Sequence, residues 1–278
     1  MAKKNKHKIK ISYCIISIIG IVMALLFLSP FYIIVVNAFK TKAQLFASTL
    51  ALPKSIIGAN FKDAYRELDF FNSLFHSLFI TIVSVAIIII FSSMAAWMLE
   101  RTKSKISNII LMLFVASMIV PFQSVMLPLI RLMGKLHFLN VGGLIFMYLG
   151  FGASLSVFLY HGFLKSIPKE LDEAAVLDGC SKFQTFWYII FPLLKPMSVT
   201  VSVLNVVWIW NDYLLPSLVI NKPNTMTIPL KTFFFFGEYT KQWNLALAGL
   251  ILDIIPVIIF YFFAQKHIIK SVTAGSIK

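Results

Sequence analysis

Apolar residues in this chain gather in six long blocks. They lie at about 11–36, 74–98, 108–130, 142–163, 198–220 and 246–265, and each reaches the length of about 20 residues that a helix needs to cross a hydrocarbon core. The pattern predicts an all-α polytopic membrane protein with six transmembrane helices, organised as one domain over 1–278. The first block follows "MAKKNKHKIK", as a secretory signal would, but its apolar run is longer than the usual 7–15 residues or so and no small-residue cleavage site follows. It is therefore expected to be retained as the first span.

Between the fourth and fifth blocks the pattern changes. The loop at about 164–197 holds "KELDEAAVLDGC", a compact group of carboxylates and alanines in a chain otherwise poor in charge. Pro168 suits the first turn of a helix. Glu170, Asp172 and Glu173 crowd that turn, where the helix dipole favours negative charge. Leu171, Ala174 and Ala175 share a narrow apolar face with two very small residues on it. Gly179 is placed to end the helix in the left-handed conformation. A second short helix is expected at once: Ser181 and Gln184 have capping-box spacing, and Phe183, Phe186, Trp187 and Ile190 fall on one face. Pro192 and Pro196 are expected to stop it before span five. Two short helices with a glycine hinge make a docking element or a plain interfacial loop.

The loop at 37–73 contains "NFKDAYRELDFF", read as a short amphipathic surface helix capped by Asn60. The loop at 221–245 carries the run Phe233 to Phe236, which suits either a protein partner or an aromatic belt at the headgroups.

Composition agrees with the pattern. The chain is 59% hydrophobic and 13% charged, against about 45–50% and about 25% in soluble domains. A formal charge of +14 could signal nucleic-acid binding, but the lysines flank apolar blocks and form no basic stripe interleaved with aromatics. Anionic lipid is the expected partner of that charge. With the N-terminus inside, the inner segments carry fifteen Lys and Arg and the outer segments ten, so both termini and the loop 164–197 are expected to be cytoplasmic. Cys14 then lies in lipid and Cys180 in the cytoplasm, which argues against a disulfide.

"EAAVLDG", followed by nine residues and "IIFP", resembles the EAA loop of inner-membrane permease subunits of ABC importers. The matching positions are Glu173, Ala174, Ala175, Gly179, Ile189 and Pro192; Phe191 stands where leucine is usual. "WNDYLLPSLVI", "LLFLSPFYIIVVNAFKTKAQ" and the ending "FFAQKHIIKSVTAGSIK" extend the similarity over nearly the whole chain. Together they resemble the carbohydrate branch of these permeases, and within it the second maltose permease component.

That resemblance implies the type I importer permease fold and a heterodimer with a second, homologous permease. It implies two cytoplasmic ATPase subunits, which would bind the ATP and magnesium, and an extracytoplasmic solute-binding protein. Glu173, Ala174, Ala175, Asp178, Gly179 and Pro192 would belong to the coupling helix and its surroundings. Ala274, Gly275, Ser276 and Ile277 would form a tail that reaches the ATPases. A carbohydrate, in particular an oligosaccharide, is the expected cargo; a polyol or glycerol-phosphate importer uses the same scaffold. A stand-alone secondary transporter or channel would explain the hydrophobicity but not the EAA loop.

Acids within spans are functional candidates. Asp212 lies near Asn205, Trp208, Asn211 and Tyr213, a set of aromatic, amide and carboxylate groups suited to a sugar path. The same residues read more readily as a helix-packing and capping motif, since the motif is general to the family and cannot encode one sugar. Asp253 is read as a partner between helices. The five histidines are scattered without metal-ligand spacing, and no phosphate-binding G-x-x-x-x-G-K-[ST] occurs, so no cofactor, metal or nucleotide site and no catalytic group is expected in this subunit.

Overall fold

The computed structural model describes residues 2–236 and 242–276, and every regular element among them is helical. The chain divides into two compact units, 1–68 with 234–254, and 69–233 with 255–278.

The first unit contains α1 (Ala2–Ala38), α2 (Lys42–Ala47), α3 (Ala59–Glu67) and the first part of α14 (Trp243–Ser276). The apolar span Ile15–Ala38 lies here, and the span Trp243–Phe262 begins here. The segment after α1 folds back on a polar clamp. Lys40 is fully buried, and its Nζ donates to Asn37 Oδ1 and to the Ser48 carbonyl, both at 2.9 Å. Asn60 does not cap α3, as the sequence suggested. Gly58 holds the N-cap position without a side-chain bond, and the buried Asn60 amide instead donates to the carbonyls of Ala38 and Lys40, both at 2.8 Å. An inward-facing amide satisfies two orphan carbonyls at the end of α1, which a cap at the surface would leave open. Asp253 is buried on α14 in the same unit.

The second unit is built around α4 (Phe70–Thr102) and α7 (Val141–Leu164), which make its most extensive helix contact. Both match expected spans. Ser73, Ser77, Thr81 and Ser84 are buried along α4, where small side chains let a neighbouring backbone come close. Gly152 on α7 is part of the same fit: a Cβ there would stand 2.5 Å from Ile88 Cδ1 and 2.8 Å from Asn205 Oδ1.

Two expected spans are not straight. The block 108–130 is broken into α5 (Lys105–Ser117) and α6 (Phe122–Lys135), which meet at 105°. Pro121 occupies the N-cap of α6 in extended geometry, and a residue before proline avoids helical backbone. Further on, α9 (Lys182–Thr185), a π-helical segment (Phe186–Ile190) and α10 (Phe191–Leu193) run into α11 (Lys195–Trp210) through a 75° bend. Pro192 does not stop the helix. The π-turn, in which the Phe191 amide bonds to the Phe186 carbonyl, carries it past the missing proline N–H. Pro196 sits in the first turn of α11, where its missing donor is harmless. The helix stops at Trp210, and α12 (Leu214–Val219), a 3-10 turn (Pro223–Thr225) and α13 (Ile228–Phe234) follow. The Ile228 amide donates to Ser77 Oγ and Asn72 donates to the Asn224 carbonyl, tying this stretch to the start of α4.

Candidate functional site

The loop 164–197 is specified almost entirely by local signals. α8 (Glu170–Leu177) begins after Lys169, two residues later than Pro168 in the first helical position would set it, with Glu170, Asp172 and Glu173 in the first turn. Asp178 is the C-cap and Gly179, at φ +83°, follows it. The Cys180 amide bonds to the Ala175 carbonyl at 2.9 Å and the Gly179 amide to the Val176 carbonyl at 3.0 Å. These two bonds complete a Schellman motif, the reason a glycine is required there. Ser181 and Gln184 form the expected capping box, with Ser181 Oγ accepting the Gln184 amide and Gln184 Oε1 accepting the Ser181 amide.

The loop has a held side and a presented side. Ala175 is buried, whereas Glu173, Ala174, Asp178, Gly179 and Pro192 are exposed. Val176, Leu177, Phe183 and Tyr188 are also exposed, at 60%, 88%, 64% and 76%. With Leu171 and Leu193, also exposed, they leave an apolar patch on a short loop, the kind of surface on which a partner or lipid can pack.

What holds the loop is a set of residues the sequence reading passed over. Trp97 Nε1 donates to Asp172 Oδ1 at 2.7 Å, and Arg101 Nε and Nη2 each reach Asp172 Oδ2 at 2.9 Å. Arg101 Nη2 also donates to the Ile167 carbonyl at 3.2 Å. Beside them, Glu100 meets His161 Nε2 at 3.1 Å and Lys103 Nζ at 3.4 Å. A cavity of about 390 Å³ lies here, lined by Trp97, Arg101, Lys169, Asp172, Glu173 and Lys182 among others. The available sequence signal was an indole and two charges, "WMLER", packed into the end of an apolar span.

The second group of expected site residues is only partly assembled. Asn205 and Trp208 line a cavity of about 740 Å³ with Ser117, Ser154, Phe122 and Phe151. Trp208 and Asp212 line a second of about 230 Å³ that shares Phe122 and Phe151 with the first. Asn205 is buried and donates to Ser156 Oγ at 3.2 Å and the Val201 carbonyl at 2.9 Å. Asp212 accepts the Tyr148 hydroxyl and the amides of Leu214 and Leu215. Asn211 instead bonds to the Val207 carbonyl of its own helix, and Tyr213 stacks on Phe233 with centroids 4.7 Å apart. Neither of these two lines the cavities that Trp208 lines. The helical backbone of α14 runs through Ala274, Gly275 and Ser276, whose side chains, like Ile277, lie outside the described residues. Among the described residues no group of His, Cys, Asp or Glu is placed to hold a metal ion.

Among the described residues, four helices long and apolar enough to cross a membrane, two bent pairs that would make six spans if each pair is one, and a short helical loop between α7 and α11 define the class, an all-helical membrane protein. The fold is shared with a chain in the crystal structure of a bacterial ABC transporter involved in the import of the acidic polysaccharide alginate, at TM-score 0.76 and 23% identity, covering 92% of this chain and 96% of that one. Residues 88–274 match the binding-protein-dependent transport system inner membrane component, and the chain belongs to that family.

Similar proteins include one described as a "Probable starch degradation products transport system permease protein" from Thermoanaerobacterium thermosulfurigenes. It is 55% identical over 272 residues, 98% of this chain and 99% of the relative. A multiple sugar-binding transport system permease protein of Streptococcus mutans is 36% identical over the full length of both chains. A melibiose/raffinose/stachyose import permease protein of Bacillus subtilis is 32% identical, over 95% of this chain and 96% of the relative.

Proposed function

We propose that the chain is the permease subunit of an ATP-driven importer for oligosaccharides, working by alternating access in a heterodimer with a second permease. Two ATPase subunits, carrying ATP and magnesium, would sit beneath the heterodimer, one of them docking on the loop 164–197, and a solute-binding protein would deliver the sugar from the other side. The observation that carries this reading is the loop itself: a Schellman-ended helix and a capped second helix, held on one side and presenting Val176, Leu177, Phe183 and Tyr188 on the other. A surface of this kind suits a protein cleft. The excess of Lys and Arg in segments on the loop's side supports a cytoplasmic position for it and for both termini. Family membership supports the binding-protein-dependent cycle, and the named cargoes of the relatives support an oligosaccharide.

Within this reading Glu173, Ala174, Ala175, Asp178, Gly179 and Pro192 shape the docking loop, and the stretch 274–277 reaches toward the ATPases. Asn205, Trp208 and Asp212, which line adjoining cavities, are the sugar-path candidates in this subunit.

The test has two arms. Gly179→Asp and Glu173→Lys are expected to weaken retention of the ATPase while leaving the permease in the membrane; full retention and transport in both would remove the docking role. For cargo, the importer reconstituted with its binding protein is expected to take up maltooligosaccharides. Uptake of glycerol phosphate or a polyol in their place would reassign it.

A further inference from the structure

The end of α4 meets the docking loop in a way that its presented surface does not require. Trp97 and Arg101 stand four residues apart, on one face of the helix. Both aim at a single carboxylate in the first turn of α8. Trp97 Nε1 takes Asp172 Oδ1 at 2.7 Å, and Arg101 Nε and Nη2 take Oδ2 at 2.9 Å. Arg101 Nη2 also holds the Ile167 carbonyl, so one guanidinium grips the chain entering α8 and a side chain within it. The Trp97 ring lies 5.5 Å from the ring of Phe186, in the π-helical segment, so one α4 residue touches both helical parts of the loop. The side chains of Arg101 and Asp172 are only 13% and 17% exposed. Charge-assisted bonds shielded from water are strong and directional. The residue before Arg101 turns the other way: Glu100 reaches His161 on α7 at 3.1 Å.

A loop fixed to a helix end through one flexible contact can move alone. A loop fixed at a carboxylate, a backbone carbonyl and an aromatic face cannot turn without carrying the helix with it. We propose that Trp97, Arg101 and Asp172 are positioning residues that form the joint by which movement of the loop 164–197 is transmitted to α4, and that Glu100 and His161 pass it on to α7. The proposal rests on the docking role of that loop.

The test uses the complete importer in liposomes, with Arg101→Met, Asp172→Asn, Arg101→Lys and Trp97→Phe. Three quantities are read: ATPase retained on purification, ATP hydrolysis stimulated by loaded binding protein, and sugar transported per ATP hydrolysed. ATPase retention is expected to stay native. Sugar per ATP is expected to fall about fivefold or more in Arg101→Met and Asp172→Asn, the lower range of coupling between distant sites. Arg101→Lys, which keeps the charge and loses the fork, is expected to fall between these and native.

A purely structural role would lower hydrolysis and transport together and leave their ratio unchanged, and that result overturns the proposal. If either of the first two variants fails to assemble, Arg101→Lys and Trp97→Phe decide, since both keep most of the packing; a native ratio in both is equally fatal. Gly179→Asp and Glu173→Lys separate this outcome from failure of the docking role. Those variants report on ATPase retention, which the joint variants leave intact.

Discussion

Tyr148 and Asp212 join α7 to the turn after α11 through one hydrogen bond, from the tyrosine hydroxyl to Oδ2 at 3.0 Å. The other carboxylate oxygen accepts the amides of Leu214 and Leu215 at 2.9 and 3.4 Å. Asp212 therefore ties two helices together and caps a third. The Tyr148 ring also meets Trp208 edge to face at 5.5 Å, so the tie fixes the indole that lines both cavities.

Tyr148→Phe keeps the ring and removes the donor. Hydrogen bonds between membrane helices average about 0.6 kcal/mol and reach about 1.7, so a loss in that range is expected from unfolding of the purified protein in detergent. Asp212→Ala should lose about 1 kcal/mol more, because the start of α12 is uncapped as well. Equal losses in the two variants would mean that the cap contributes nothing.

The packing of α7 against α4 and α11 is tight enough for a sharper check. Gly152→Ala forces a Cβ to within 2.5 Å of Ile88 Cδ1, and overpacking of this kind costs about 1–3 kcal/mol. Ile88→Val removes that one atom. The double variant should recover part of the loss and not all of it, since Asn205 Oδ1 stays 2.8 Å from the new Cβ. A double-mutant cycle with no coupling energy would contradict the packing described for α4 and α7.

The sequence was most legible where the signal is local or cumulative. Long apolar runs announced the spans, and Gly179, Ser181 and Gln184 announced their own turn and cap, because each acts within a few residues. The break between Ser117 and Phe122 was hidden inside a continuous apolar run, with Pro121 as its only mark. The joint at Asp172 was invisible, since Arg101 lies 71 residues away and nothing in "WMLER" names its partner. Asn60 at the start of a helix reads as a cap, and only the return of the chain onto α1 shows that it is a tie. Ala174 and Ala175 are neighbours in sequence but differ by about 100° around the helix, so one is exposed and the other buried. Asn211 and Tyr213 fall in the turn after Trp210, where no helical period aligns them with Trp208 and the cavities it lines.

The clamp after α1 gives a local prediction. Lys40→Met keeps much of the volume but leaves Asn37 Oδ1 and the Ser48 carbonyl without their donor, at about 1–3 kcal/mol for the buried Asn37 oxygen and less for the part-buried carbonyl. Hydrogen exchange is expected to rise in residues 41–57 while the middle of α4 stays protected. Unchanged exchange in that segment would show that the clamp does not hold it.

Trp208 carries the most specific prediction for transport. Its indole is the one side chain of α11 that lines both cavities, and at 40% exposure it is not locked into the core. Trp208→Phe keeps an aromatic face and its edge contact with Tyr148, whereas Trp208→Ala removes both. If sugar passes along this face, uptake per assembled importer should fall by about tenfold in the alanine variant, equivalent to about 1.4 kcal/mol, and only slightly in the phenylalanine variant. The amount of assembled complex must be measured alongside, because lost packing alone would lower uptake and complex in proportion. Native uptake per complex in Trp208→Ala would take Trp208 off the path and leave it as a packing partner of Tyr148.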